Sequence, residues 1–252
     1  MIILISPAKS LDFESPSPVD TISEIPFPEK TEALVSALSR FSGPKLKTIM
    51  PVSDALIELN RKRYKNFFEQ AEKQALFAYN GDVYTGFDAE TIDEPALDYA
   101  QNHLRILSGL YGLLRPLDPI RPHRLEMGTR WAPRRKKLTD FWGDAPAKSV
   151  QHSAAEAGSK AIINLASQEY FAAIETGRKH ITLPVITMDF RQNGPDGPKF
   201  QSFAAKRARG LMARYICDNR LVEPEDIKHF DVDGYAFDAE NSDQHSWRFI
   251  RT

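Results

Sequence analysis

The chain has 252 residues, 42% of them hydrophobic and 27% charged, a globular composition long enough to bury one large core or two small ones. Its 33 lysines and arginines against 34 aspartates and glutamates give a formal net charge of -1, which excludes binding of polyanions by bulk charge and leaves nucleic acid only a local patch. A single cysteine, Cys217, excludes a disulfide framework and a cysteine-held zinc or iron–sulfur site within one chain.

The first element is a short apolar strand from Met1, stopped by Pro7 and Lys9. With no basic leader before it, it reads as a buried strand and not a signal peptide. No stretch approaches the roughly 18 apolar residues of a membrane span, so a cytoplasmic protein without a membrane partner is expected. Residues 10–30, with Pro16, Pro18, Pro26 and Pro28, predict an irregular arm over the body. Helical apolar spacing follows over 31–41 and again over 53–70, where Ser53 is a suitable N-cap. A short strand is predicted at 76–79, ending in the turn Asn80-Gly81-Asp82. Residues 162–167 read as a buried strand that runs into a helix beginning near Glu169 and Tyr170, and further strands are predicted at 181–190 and 200–204. The sum is a single α+β domain over 1–252, a mixed sheet flanked by helices, with α/β as the nearest alternative. There is no repeat or linker.

The segment 104–118 carries Gly109 and Gly112 inside an apolar pattern, with Arg105, Tyr111 and Arg115 around them. Two glycines three apart permit a tight turn that uncovers backbone amides, so 99–118 reads either as a helix-hairpin-helix holding a phosphate or as a break forced by packing. Arg121, Arg124 and Arg130 follow, separated by Pro122, Leu125 and Met127, a spacing that suits cleft arginines better than the solvated run at 134–137. Lys206, Arg207, Arg209 and Arg214 stand within nine residues without an acid, which favours an anion-facing helix over an ordinary charged surface. Lys9, just beyond the first strand, suits a phosphate contact or, if desolvated, a Schiff-base nucleophile. Asp82, Glu126, Asp144 and Glu169 sit beside turns or aromatics, as caps or ion-pair partners or as groups that move protons. The six histidines show no ligand spacing, and the phosphate-loop, dinucleotide and hydrolase-elbow motifs are missing. No metal and no cofactor are expected.

Ser6-Pro7-Ala8-Lys9, Gly81 to Gly86, Leu107 to Asp118, Arg124 to Gly128, Phe141 to Asp144, Asn164 to Tyr170 and Ala205 to Met212 together resemble the YaaA family of bacterial peroxide-stress proteins, in order and across nearly the whole chain. The resemblance implies a role in surviving hydrogen peroxide by limiting damage from intracellular free iron. It also implies binding of double-stranded or perturbed DNA, with little sequence preference, through a helix-hairpin-helix beside a basic cleft. Carried over, the DNA-binding set is Lys9, Arg105, Gly109, Tyr111, Gly112, Arg115, Arg124, Lys206, Arg207 and Arg209. The alternative is an enzyme in the same cleft, either a lyase on damaged DNA using Lys9 with Asp82, Glu126 or Asp144, or a protein acting on a nucleobase-like or phosphorylated ligand. His123 stands where the family is expected to carry tyrosine, and Asn80 where some relatives carry lysine.

Overall fold

Ile2, Ile3, Leu4 and Ile5 are each 0% exposed, as a strand must be when both faces of its sheet are covered. They form β1 (Ile2–Ile5) of a computed structural model that describes residues 1–195 and 197–252. After it come β2 (Ser10–Leu11), α1 (Pro28–Ser39), α2 (Gly43–Ile49), α3 (Asp54–Lys65), β3 (Lys73–Gln74), α4 (Ala75–Ala78), β4 (Tyr79–Asn80) and α5 (Asp82–Phe87). The middle of the chain forms α6 (Glu94–His103), β5 (Leu104–Ser108), β6 (Gly112–Leu114), β7 (Pro119–Ile120), α7 (Leu138–Trp142) and α8 (Ala145–Glu156). The remainder is β8 (Ile162–Asn164), α9 (Gln168–Glu175), β9 (Val185–Gln192), α10 (Ser202–Asp218), β10 (Tyr235–Asp238) and β11 (Ser246–Arg251).

Seven strands make one sheet in the order β10-β11-β9-β8-β1-β5-β6. The five from β11 to β5 are parallel, with β10 and β6 antiparallel at the edges, so the sheet is mixed and the α+β expectation holds. β1 is central, with Ile3 in register with Leu104 on one side and Ile163 on the other. Helices flank it, α10 lying against β1 and β9, α8 against β1 and β6, and α9 against β5. Two small ribbons, β2 with β4 and β3 with β7, tie the segments outside the sheet together. The proline-rich arm lies over the body as expected: Gln74 donates to the carbonyls of Val19 and Thr21, and Lys73 Nζ to that of Ser15. Ser53 caps α3, its hydroxyl accepting from the amide of Leu56.

Several expectations are corrected. Residues 99–118 do not form a helix-hairpin-helix. α6 ends at His103, and Gly109, Leu110 and Tyr111 turn the chain between the antiparallel strands β5 and β6, closed by the Ser108–Gly112 pair. A continuous apolar run is compatible with either a buried helix or a buried strand. Pairing with β1 decides for strand, because only an extended Leu104–Ile106 completes the ladder. Gly112 has φ +75°, with the Trp142 ring where a side chain would go, so glycine is required by the strand turn. The strand expected at 76–79 is the one-turn α4 followed by β4. The strand expected at 200–204 is the start of α10, whose Ala205, Ala208, Met212, Ala213 and Ile216 recur at helical spacing and are all buried. The aromatic residues behind the strand reading, Phe200 and Phe203, are exposed instead.

α5 and α10 touch backbone to backbone. A Cβ on Gly210 would lie 1.8 Å from the carbonyl oxygen of Val83, and one on Gly86 2.1 Å from that of Arg207. This contact fixes the N-terminal half of α10 against α5.

Candidate functional site

Because β1, β5 and β8 are parallel, the residues that follow them emerge at one edge of the sheet, where ligands of open parallel sheets bind. Ser6 to Lys9 leave β1, Gly109 leaves β5, and Ser167 to Tyr170 open α9 after β8. The loops are tied together: Ser6 Oγ accepts from the Ser167 amide at 2.9 Å, and the two hydroxyl oxygens are 3.4 Å apart. Asp82 at the head of α5 and Lys206 and Arg209 near the head of α10 form the facing wall. The enclosed cleft has a volume of ≈ 410 Å³. A separate recess of ≈ 10 Å³, among Tyr79, Ser108, Gly109, Arg124 and Glu126, shares Pro7 to Lys9 and Tyr170 with it.

The charges in the cleft are mixed. Lys9 Nζ is 3.4 Å from Glu126, which also takes Arg124 at 2.8 Å, and Lys206 is 3.7 Å from Asp82. Glu169 accepts the amide of Gly128 at 3.0 Å. Arg209 is mostly buried, and that burial lowers the pKa of its guanidinium, with Asp189 opposing the shift. The Nε atoms of both Arg209 and Arg124 are buried and find no hydrogen-bond acceptor among the described residues. Buried donors are nearly always paired, so these two Nε atoms are unusual, one at the cleft on Arg209 and one at the recess beside it on Arg124. Arginine's planar fork matches phosphate or carboxylate.

The cleft gathers Lys9, Asp82, Lys206 and Arg209 of the expected set, and the recess beside it Lys9, Gly109, Arg124 and Glu126. Other members lie elsewhere. Arg105 is buried in β5, donating to Ser153 Oγ and to the carbonyls of Gln101 and Leu104, and burial lowers its pKa to about 10. Arg115 closes the turn onto Asp118, with Nε to Oδ1 at 3.1 Å, and reaches the Glu24 carbonyl to hold the arm. Arg207 pairs with Asp233 at 2.5 Å. Tyr111 is buried, its hydroxyl accepting from the Arg121 amide, and Gly112 faces Trp142. Asp144 at the head of α8 pairs with Lys148 and His180, each at 2.8 Å, and the Lys148 contact is the main cause of its lowered pKa. These residues are consumed by packing and ion pairs away from the cleft. Ser6, Ser167 and Tyr170 line it although single-residue chemistry did not mark them; their signal was position, directly after two buried strands.

Beneath the recess, His123 is packed edge-on to Tyr111 and Tyr79, with Nδ1 2.7 Å from the Arg121 carbonyl. Burial lowers its pKa from 6.5 to about 4, the carbonyl contact acting in the other direction. Between those values the unfolded chain binds the proton that the folded chain excludes. The stability from neutral His123 is thus complete above about pH 6.5 and lost as the pH falls toward about 4, a term of at most ~3 kcal/mol. Thermal scans at pH 7 and pH 4.5 should show this loss, and His123→Phe should flatten it; an equally steep acid loss in the variant would place the effect elsewhere.

A mixed sheet flanked by helices, with a cleft of mixed charge at the exit of its central parallel strands, defines an α+β protein. The family model described as Peroxide stress protein YaaA matches residues 1–241. A UPF0246 protein of Rhizorhabdus wittichii is 51% identical over 253 residues, all of both chains. UPF0246 proteins of Paraburkholderia phytofirmans and Caulobacter vibrioides are 47% and 44% identical, over all of this chain and 98% and 99% of theirs. The chain belongs to the YaaA family of peroxide-stress proteins. No helix among the described residues is long and apolar enough to cross a membrane.

Proposed function

We propose that the chain serves in peroxide stress by binding DNA at this cleft, where one or two phosphates engage Arg209, Lys206, Lys9 and Arg124. The observation that carries the reading is the gathering of Lys9, Lys206 and Arg209 on one cleft at the exit of the parallel strands. Phosphate oxygens would meet these cations, with the Ser167 hydroxyl and the positive end of α9 adding to the attraction. Asp82, Glu126 and Glu169 offset the four cations, so the cleft suits a local phosphate or an unstacked nucleotide better than a long duplex track. Limiting the damage linked to free iron is the cellular consequence that belongs to the same reading.

Binding to labelled duplex, single-stranded and abasic DNA, followed across a salt series, tests it. The expected log K falls linearly with log salt, at roughly one unit of slope per phosphate engaged. A flat response, or no binding to any form, would overturn the proposal.

The second reading is a lyase step on abasic DNA through Lys9, favoured by its 3.4 Å approach to Glu126, a carboxylate able to carry the proton that an attacking amine must lose. Lys9 is 61% exposed at its side chain, and its ion pair equally suits a cation contact. Borohydride trapping of protein on abasic DNA, lost in Lys9→Ala, separates the two; no trapped adduct leaves binding alone.

A further inference from the structure

We infer that Phe203 and Phe200 form a stacking platform at the mouth of the cleft for unpaired bases of single-stranded nucleic acid, a role that rests on the DNA reading above. Phe203, in the first turn of α10, is 68% exposed and Phe200, just before it, 51%, whereas Met212 and Ile216 further along the helix are buried and Leu211 and Tyr215 partly so. Single exposed apolar side chains are ordinary, but two large aromatics within four residues of the chain form a patch that a partner can cover.

Their surroundings say what. Phe203 and Lys206 are three residues apart in α10 and so stand one turn apart on a common face, with a rise of roughly 4.5 Å between them. Lys206 is the cation that lines the cleft, so a strand whose phosphate meets Lys206 brings its next base over Phe203. On the other side, Arg191 lies with its guanidinium carbon 5.7 Å from the centre of the Phe200 ring. Its Nε is held by both oxygens of Asp189, at 2.8 and 3.0 Å, which keeps the plane in place. An aromatic ring with a guanidinium over its face, and a second ring one helical turn from a cleft lysine, are the parts of a sequence-tolerant single-strand site. A protein partner would call for an apolar rim; here the charged neighbours are Arg191, held by Asp189, at Phe200 and Lys206 one turn from Phe203.

The test compares the full-length protein with Phe203→Ala, Phe203→Trp and the Phe200→Ala/Phe203→Ala double variant on a labelled oligothymidine strand and on a duplex of equal length. Phe203→Ala should weaken single-strand binding about tenfold, with the salt slope and duplex binding unchanged, and Phe203→Trp should retain it. Both rings are exposed, so melting temperatures should match the parent and certify folding. If the parent binds single strands and the double variant binds them equally well, the platform is overturned while the cleft reading stands. A change in self-association by sedimentation, with single-strand binding intact, also overturns it by making the patch a contact between copies. If the parent binds no DNA at all, the DNA reading itself has failed and the platform falls with it.

Discussion

Gly210→Ala is expected to lower the melting temperature by roughly 6–12 °C, from about 3 kcal/mol of overpacking in a protein of this size. The added carbon would stand 1.8 Å from the Val83 oxygen and 2.7 Å from the Phe87 nitrogen. Those atoms belong to the backbone of α5, so no side-chain rotation relieves the contact and the two helices must separate. Separation also moves Lys206 away from Asp82, now 3.7 Å apart, and widens the cleft. DNA affinity should therefore fall with stability in this variant, although Gly210 touches no ligand. Gly86→Ala should act in the same direction, and the pair should be far from additive because one interface answers for both. An unchanged melting temperature in Gly210→Ala would mean that the helices do not approach this closely.

The second large effect concerns Arg209. Arg209→Ala is expected to weaken DNA binding by about tenfold to a hundredfold, the worth of a charge-assisted contact to phosphate, and to lessen the salt slope by roughly one unit. Lys206→Ala should lessen the slope equally but cost less affinity, since its side chain is 52% exposed and its contact more screened. Arg115→Ala supplies the contrast. Its guanidinium is spent on Asp118 and the Glu24 carbonyl, so its removal should cost stability and leave the slope unaltered. A slope lessened by Arg115→Ala and untouched by Arg209→Ala would move the DNA site from the cleft to the β5–β6 turn.

Local chemistry accounts for what was legible without the fold. The buried first strand follows from four consecutive large aliphatic residues, and the Ser53 cap from a hydroxyl ahead of an amphipathic run. Residue type and place at a strand end, a turn or a helix single out Lys9, Asp82, Lys206 and Arg209, which line one cleft, and Arg124 and Glu126, which line the recess beside it. Residue type could not separate them from Arg105, Arg115 and Arg207, because an arginine that locks a turn carries the same side chain as one that faces a ligand. Nor could an apolar run decide between helix and strand at 104–114, where the choice depends on a partner strand a hundred residues away.

The broad class, the family and the pool of charged residues are legible in the chain, since composition, short-range spacing and ordered motifs are local properties. Which cations remain available depends on how distant segments pack. Parallel pairing of β1 with β5 and β8 carries Ser6, Gly109 and Ser167 to one edge, and the side-chain-free contact of Gly86 with α10 sets Lys206 and Arg209 opposite them. Both are long-range contacts, and their energies depend on segments that no local window contains.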